Sequence, residues 1–375
     1  LHNFHFIQNI KQIMQPTILL KCKEAVVSAL SLRGDHKVEL SETARLFDGR
    51  ADGIEQLFID RYHRLALAHY LPQLNQDKKE EREATKLRQV LKELEGDFNE
   101  LGVYTLYFKS HSHDARTNNR GAIDHRPLFG EAIEEEIITE GKLSLIIRPH
   151  GSLHAGLFTD MRQIRSQLSQ LDKYFPAVKR VLNLFAFTGS LGIAAALGGA
   201  RQVCHVDSSA TVLDWAKKNW ALNKPSQWEK EHGVMRFICD DCSKFLEREI
   251  KRLEKGGQKN DLVIIDPPSF GRSRSRTFSF KRDAAEILAK SLKITSQEGH
   301  VIFTTNSRNY TDCNISQIFQ EVAAQVKWSI KKITRCLPSP LDFRSQAKDS
   351  IAMRGVVASG GALSDYRVEY TLDSA

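Results

Sequence analysis

Apolar positions change their rhythm along these 375 residues. In "GIEQLFIDRYHRLALAHYL" (Gly53 to Leu71) two short apolar stretches flank a polar "DRYHR", which predicts two strands around a turn. "DKKEEREATKLRQVLKEL" (Asp77 to Leu94) puts Leu87, Val90, Leu91 and Leu94 on one side, the mark of a charged amphipathic helix. "VYTLYFKS" (Val103 to Ser110) reads as a strand. From about residue 141 the strands lose their alternation. "KRVLNLFA", "RQVCHVD", "VMRFICDD", "DLVIIDPP" and "GHVIFTTN" include near-continuous apolar runs, as strands buried on both faces of a parallel sheet do. Helical stretches such as "SLGIAAALGG" and "ATVLDWAKKNWALNK" separate them. The pattern predicts an α/β fold: a doubly wound, Rossmann-like domain over 141–375, a small α/β domain over 46–140, and a helical lead-in over 1–45.

Composition changes this picture little. Hydrophobic residues make up 41% and charged residues 27%, as in a folded globular chain. No apolar run approaches the roughly 18 residues of a membrane span, and the start lacks the order of a signal peptide. The expected compartment is the cytoplasm, with no membrane partner. Charge matters more. Against 46 acidic residues stand 54 basic ones, a net +8 that suits a polyanionic partner such as RNA. The six cysteines are scattered, which argues against a disulfide framework. "CDDC" (Cys239 to Cys242) has zinc-like spacing, but no second pair completes four ligands, so no metal is expected.

In a doubly wound sheet the ligand sits at the carboxyl ends of the strands. Those ends carry Asn183, Asp207, Asp241 and Asp266. Asp207, closing the second strand, can accept hydrogen bonds from two ribose hydroxyls. A dinucleotide turn would need G-x-G-x-x-G; here Phe185 and Phe187 crowd the turn before Gly189. A cofactor without phosphates, such as S-adenosylmethionine (SAM), needs no such approach. "DPPSF" (Asp266 to Phe270) follows the strand "DLVII" at once. Pro267 and Pro268 stop strand pairing, Phe270 can stack on a planar base, and Asp266 can accept from an exocyclic amine.

Several motifs together resemble the bacterial ribosomal RNA large-subunit methyltransferase family of the RlmI and RlmK/L type. "VLNLFAFTGSLGIAAALGGARQVCHVDSS" (Val181 to Ser209) is similar to its cofactor segment, "GLFTDMRQIR" (Gly156 to Arg165) to its "G-[YF]-[FY]-x-D-x-R" motif, and "DPPSFGRSRSRTFSFKRD" (Asp266 to Asp283) to its catalytic loop in one Gram-positive branch. The resemblance covers about 46–375. It implies that Asn183, Phe185, Thr188 and Gly189 line the methionine side of SAM. Asp207, with Ser208 beside it, would hold the ribose, and Asp241 and the Cys242 backbone would meet the adenine amine. Asp160 and Arg162 would close the pocket, although Arg162 could equally form a plain salt bridge.

The resemblance also bears on the atom methylated. Methylation at cytosine C5 needs a cysteine thiolate. The family's C5 members carry it in "SCS" after the fifth strand, where this chain reads "FTTNSRNY" with Asn306 in place of the thiol. That favours direct attack by a base nitrogen, which needs alignment more than acid–base help. Asn306 either orients the base or caps the next turn. Downstream, "GRSRSRTFSFKR" (Gly271 to Arg282) offers Arg272, Arg274, Arg276 and Lys281 for RNA phosphates, interleaved with Phe278 and Phe280. Residues 1–45 are too short for the RNA-binding PUA domain with which family members often begin, so "DARTNNRGAIDHR" (Asp114 to Arg126) would carry more of the grip. The expected substrate is large-subunit (23S) rRNA or a ribosome assembly intermediate; the reading leaves room for a homodimer. Methylation of a small molecule or protein, or RNA binding without catalysis, are the competing readings.

Overall fold

A computed structural model describes residues 18–35, 43–72, 77–110, 126–150, 154–228, 230, 232–272, 277–307, 309–336, 354–360 and 367–369. The chain forms two compact units, 1–135 with 148–155, and 136–147 with 156–375.

The first unit is built on a four-stranded sheet in the order β1-β2-β3-β4: β1 (Thr43–Asp48), β2 (Leu57–Tyr62), β3 (Leu65–Tyr70) and β4 (Thr105–Ser110). Helices α1 (Ile18–Asp35), α2 (Asp77–Glu93) and α3 (Glu95–Glu100) belong to it, and α2 lies in the crossover that makes β3 and β4 parallel. The apolar stripe of α2, Leu87, Val90 and Leu91, is buried with Ile59, Ala66 and Leu106 from the sheet. The β2–β3 turn is tighter than "DRYHR" suggests. Asp60 and Arg61 continue the strand, and only His63, in the left-handed region (φ 55°), and Arg64 make the turn. Asp60 tolerates its buried strand position because Arg45 on β1 donates to both its oxygens, at 2.7 and 3.2 Å.

The second unit opens with a hairpin, β5 (Glu136–Glu140) and β6 (Leu143–Ile147). Helices α4 (Arg162–Leu168) and α5 (Leu171–Tyr174) follow. Then come β7 (Arg180–Leu184), α6 (Ser190–Leu197), β8 (Gln202–Asp207), α7 (Ala210–Asn223), β9 (Val234–Cys239), α8 (Cys242–Glu254) and β10 (Asn260–Ile265). A small hairpin, β11 (Phe270–Arg272) and β12 (Thr277–Ser279), precedes α9 (Phe280–Ile294), β13 (Thr295–Thr305), α10 (Asp312–Gln325), β14 (Ile330–Cys336), β15 (Arg354–Gly360) and β16 (Arg367–Glu369).

The main sheet runs β16-β14-β15-β13-β10-β7-β8-β9. β13, β10, β7, β8 and β9 are parallel, and β15 is antiparallel to both neighbours. The five strands with near-continuous or mixed apolar character are thus the parallel ones, while the late strands β14–β16 went unforeseen. β14 alternates only loosely between buried and exposed positions, a weak signal in sequence. From β7 the chain winds one way through β8 and β9, then returns to β10 on the other side. That reversal leaves a crevice at the carboxyl ends of β7 and β10. Helices α8, α9 and α10 bury one face in a shared core with Leu182, Leu184, Val263, Ile265 and Phe303. Among the described residues no helix is long and apolar enough to cross a membrane.

Candidate active site

The turn after β7 is bent by three left-handed residues, Phe185 (φ 54°), Phe187 (φ 48°) and Gly189 (φ 81°). The two phenylalanines stand where glycine is the easy choice, at a cost of about 1–2 kcal/mol each. Their rings offset part of it: Phe185 packs on Phe278 at 5.3 Å and Phe187 on Phe158 at 5.4 Å. The Asp207 carboxylate accepts from the Phe187 N–H and the Ser209 N–H, both at 2.9 Å. It therefore ties the turn to the end of β8 while each oxygen keeps a further lone pair. Burial pushes its carboxyl up from the ordinary value, against the pull of these backbone donors.

Beside this turn lies a cleft open to solvent, whose walls include Phe185, Ser208, Asp241, Cys242, Pro268, Gly271 and Phe278. Asp241 caps α8, one oxygen accepting from the Ser243 and Lys244 N–H groups at 3.0 and 3.2 Å. The two cysteines of "CDDC" part company. Cys242 is buried and its sulfur accepts from the Phe185 N–H at 3.4 Å, whereas Cys239 is exposed. Burial drives the Cys242 thiol far up, so it stays protonated. Among the described residues no three His, Cys, Asp or Glu side chains converge as a metal site.

Asn183 and Thr188 sit beneath the turn. Asn183 is buried with its amide nitrogen 3.2 Å from Nδ1 of His205, which is itself buried and stacked on Phe237. Thr188 is also buried; its hydroxyl donates to the Gly156 carbonyl at 2.6 Å and its own carbonyl accepts from Asn219. Both side chains thus meet protein partners that the sequence does not reveal.

The "GLFTD" segment is fastened from several directions. Gly156 (φ 101°) lies so close to Trp215 that a Cβ would come within 2.2 Å of the indole. Arg165, which sequence reasoning passed over, is buried in α4 and binds both oxygens of Glu140 at 2.5 and 2.7 Å. It also donates to the Phe158 carbonyl at 2.8 Å. Asp160 is buried in this segment and Arg162, half-buried, opens α4.

The "DPPSF" loop leaves β10 at the crevice. Asp266 is half-buried and accepts from the Thr304 hydroxyl at 2.7 Å, while burial raises its carboxyl above the ordinary range. Pro267 is buried, Pro268 exposed, and Phe270 is 64% exposed. Asn306 accepts from the Ser269 hydroxyl at 3.0 Å. The next helix has its own cap, Thr311 in a capping box with Asn314. β11 and β12 pair Phe270 with Ser279 and Gly271 with Phe278, so the latter two share the face that lines the cleft.

The basic stretch is described only in part. Phe280 is a core residue, packed on Phe303 and Tyr310, and Phe278 faces the cleft. Lys281 is exposed, and Arg282 is held by Asp283. Arg274 and Arg276, the Arg272 side chain and residues 114–125 lie outside the described residues. Cys313 is exposed in α10, 3.0 Å from Arg335.

An apolar slot edged by carboxylates, beside a turn too crowded for a pyrophosphate, fits the adenosine and methionine parts of SAM. Together with the strand order this defines a class I SAM-dependent methyltransferase. A family model described as S-adenosylmethionine-dependent methyltransferase matches residues 45–342, and the chain belongs to that family. It is 35% identical over 248 residues to the ribosomal RNA large subunit methyltransferase K/L of Shewanella sp. (strain MR-4), covering 65% of this chain and 31% of that protein. It is 38% identical over 183 residues to the protein of the same name from Alteromonas mediterranea, covering 48% and 23%. The chain thus spans less than a third of the length of these curated relatives. Among solved structures, a chain assigned as a SAM-dependent methyltransferase from Streptococcus mutans superposes with TM-score 0.71 at 22% identity, covering 92% of this chain and 82% of that one. SMU.776, assigned as a methyltransferase and complexed with SAH, gives 0.68 at 22% identity, covering 90% and 81%. At that identity the structural likeness speaks for the fold.

Proposed function

We propose that this enzyme methylates a base nitrogen of large-subunit ribosomal RNA, in the cytoplasm. The observation that carries the reading is the Asp266–Phe270 loop: a hydrogen-bonded carboxylate at the crevice, four residues before an aromatic ring that is 64% exposed. Such a pair suits a planar base, the ring stacking on it and the carboxylate accepting from its N–H. The names and identities of the Shewanella and Alteromonas relatives support the choice of ribosomal RNA.

When bound, SAM supplies an electrophilic methyl group on a sulfonium. Asp207 and Ser208 would hold the ribose, and Asp241 with the Cys242 backbone the adenine amine. Phe185 and Gly189 would border the methionine side, over Asn183 and Thr188, with Asp160 and Arg162 closing it. Asp266, Phe270 and Asn306 would set the base nitrogen in line with the methyl carbon, Pro267 and Pro268 stiffening the loop. Lys281, Arg272, Arg274 and Arg276 would meet phosphates. The cysteines support nitrogen over C5. Cys313 is exposed beyond the capped start of α10, and burial drives the Cys336 thiol far up, away from the thiolate that C5 attack requires.

The test is transfer of labelled methyl from SAM to total ribosomal RNA from cells lacking the enzyme, with mass mapping of the product. Label in a modified base nitrogen is expected. Label at C5, or only in protein or small molecules, would replace this reading. Asp266→Ala should abolish turnover and leave SAM binding largely intact by calorimetry.

A further inference from the structure

β13 and the residue just past its end hold the catalytic loop at two places. β13 runs parallel to β10 with Phe303 opposite Ile265, which brings Thr304 beside Asp266. The fully buried Thr304 donates to Asp266 Oδ1 at 2.7 Å. Two residues on, Asn306 accepts from Ser269 at 3.0 Å. Between these points stand Pro267 and Pro268, which have no N–H with which to tie the loop. Backbone ties resume only at Ser269, whose carbonyl accepts from the Phe280 N–H at 3.1 Å, so at Asp266 the loop depends on a side-chain hydrogen bond.

We propose that Thr304 is a positioning residue for methyl transfer: its hydroxyl occupies one oxygen of Asp266 and reserves the other for the substrate N–H. The proposal rests on Asp266 being the acid that meets the base. Only an ionised carboxylate is a pure acceptor there. Burial works against ionisation at this spot and the Thr304 hydrogen bond works for it. Nearby titratable groups are the Cys336 thiol from β14, which burial holds protonated, and Asp160 from the "GLFTD" segment, whose charge acts on the same thiol. Losing the hydroxyl raises the Asp266 carboxyl further, so a higher pH is needed to ionise it.

The experiment compares Thr304→Val, which keeps the shape, with Thr304→Ser, which restores the donor. Methyl transfer to total ribosomal RNA from cells lacking the enzyme is followed from acid to alkaline pH, with SAH binding measured by calorimetry. For Thr304→Val the acid limb of kcat should move up by about one pH unit, lowering kcat about tenfold on the acid side and converging with wild type at alkaline pH. The KM for SAM should stay within about twofold, and Thr304→Ser should bring the acid limb back. An unmoved limb, or a loss uniform in pH that Thr304→Ser does not repair, overturns the proposal. If Thr304→Val fails to bind SAH, Thr304→Cys, a weak donor of similar size, is read instead: an intermediate limb supports the proposal and a wild-type limb overturns it. Asp266→Asn separates the two levels. If it turns over like wild type, the role of Asp266 itself is wrong; if it is inactive while Thr304→Val is unaltered, only the Thr304 proposal falls.

Discussion

Phe185 and Phe187 show how a single residue type can mislead and then inform. In sequence they look like obstacles in a cofactor turn. In the structure they hold the left-handed conformations of the turn and pack its two sides. Asp207 is the residue that fastens the turn, so its loss acts twice. Asp207→Ala should weaken SAM or SAH binding by about 1.5–3 kcal/mol, measured by calorimetry; unchanged affinity would remove Asp207 from the site. His205 carries a different prediction. Burial lowers its pKa from 6.5 to about 3. Between those values the unfolded chain binds a proton and the folded one does not, so stability rises with pH. This contribution is complete above about pH 6.5 and is lost as pH falls towards 3. Urea midpoints should therefore drop on acidification through that window, and drop less in His205→Gln; equal slopes in the two proteins would refute the assignment. Asp207, Asp241 and Asp266 were legible as strand-end acids. Asn183 was legible as a position but not as a partner of His205, because that pairing spans two strands.

Among the elements, the β11–β12 hairpin is the least transparent in sequence. "GRSRSRTFSFKR" carries no turn signature, and its alternation of aromatic and basic residues resembles an RNA-binding ribbon. The register assigns the aromatics: Gly271 and Phe278 share the cleft-lining face, and Phe280 starts α9 inside the core. Segment "GLFTDMRQIR" was recognised by motif, yet its anchor was not. Arg165 finds Glu140 on β5, a partner that only the packing of α4 on the β5–β6 hairpin's unit supplies. Removing one member of a pair this buried leaves an uncompensated charge, at a cost of about 3–5 kcal/mol. Arg165→Met should thus lower the thermal midpoint clearly, and Arg165→Met with Glu140→Met should recover much of it. A single variant that melts with wild type would show the pair to be dispensable.

At the scale of the whole molecule, the net +8 is a statement about partners rather than fold. If phosphates are met as proposed, log affinity for ribosomal RNA should fall linearly with log salt, by about 0.7 for each phosphate neutralised on single strands. Lys281→Ala should make that slope shallower by about one contact. Filter binding across salt concentrations checks this, and a slope near zero would remove the electrostatic grip. The chain by itself determined the parallel core, the cofactor class and the carboxylates at the strand ends. Those follow from local apolar periodicity and from residues close together along the chain. The tertiary structure alone decided which of these side chains meet. Thr304 beside Asp266, Asn183 on His205, Arg165 on Glu140 and Phe278 against Phe185 are contacts between separate elements. They depend on strand register and helix packing, which no local pattern encodes.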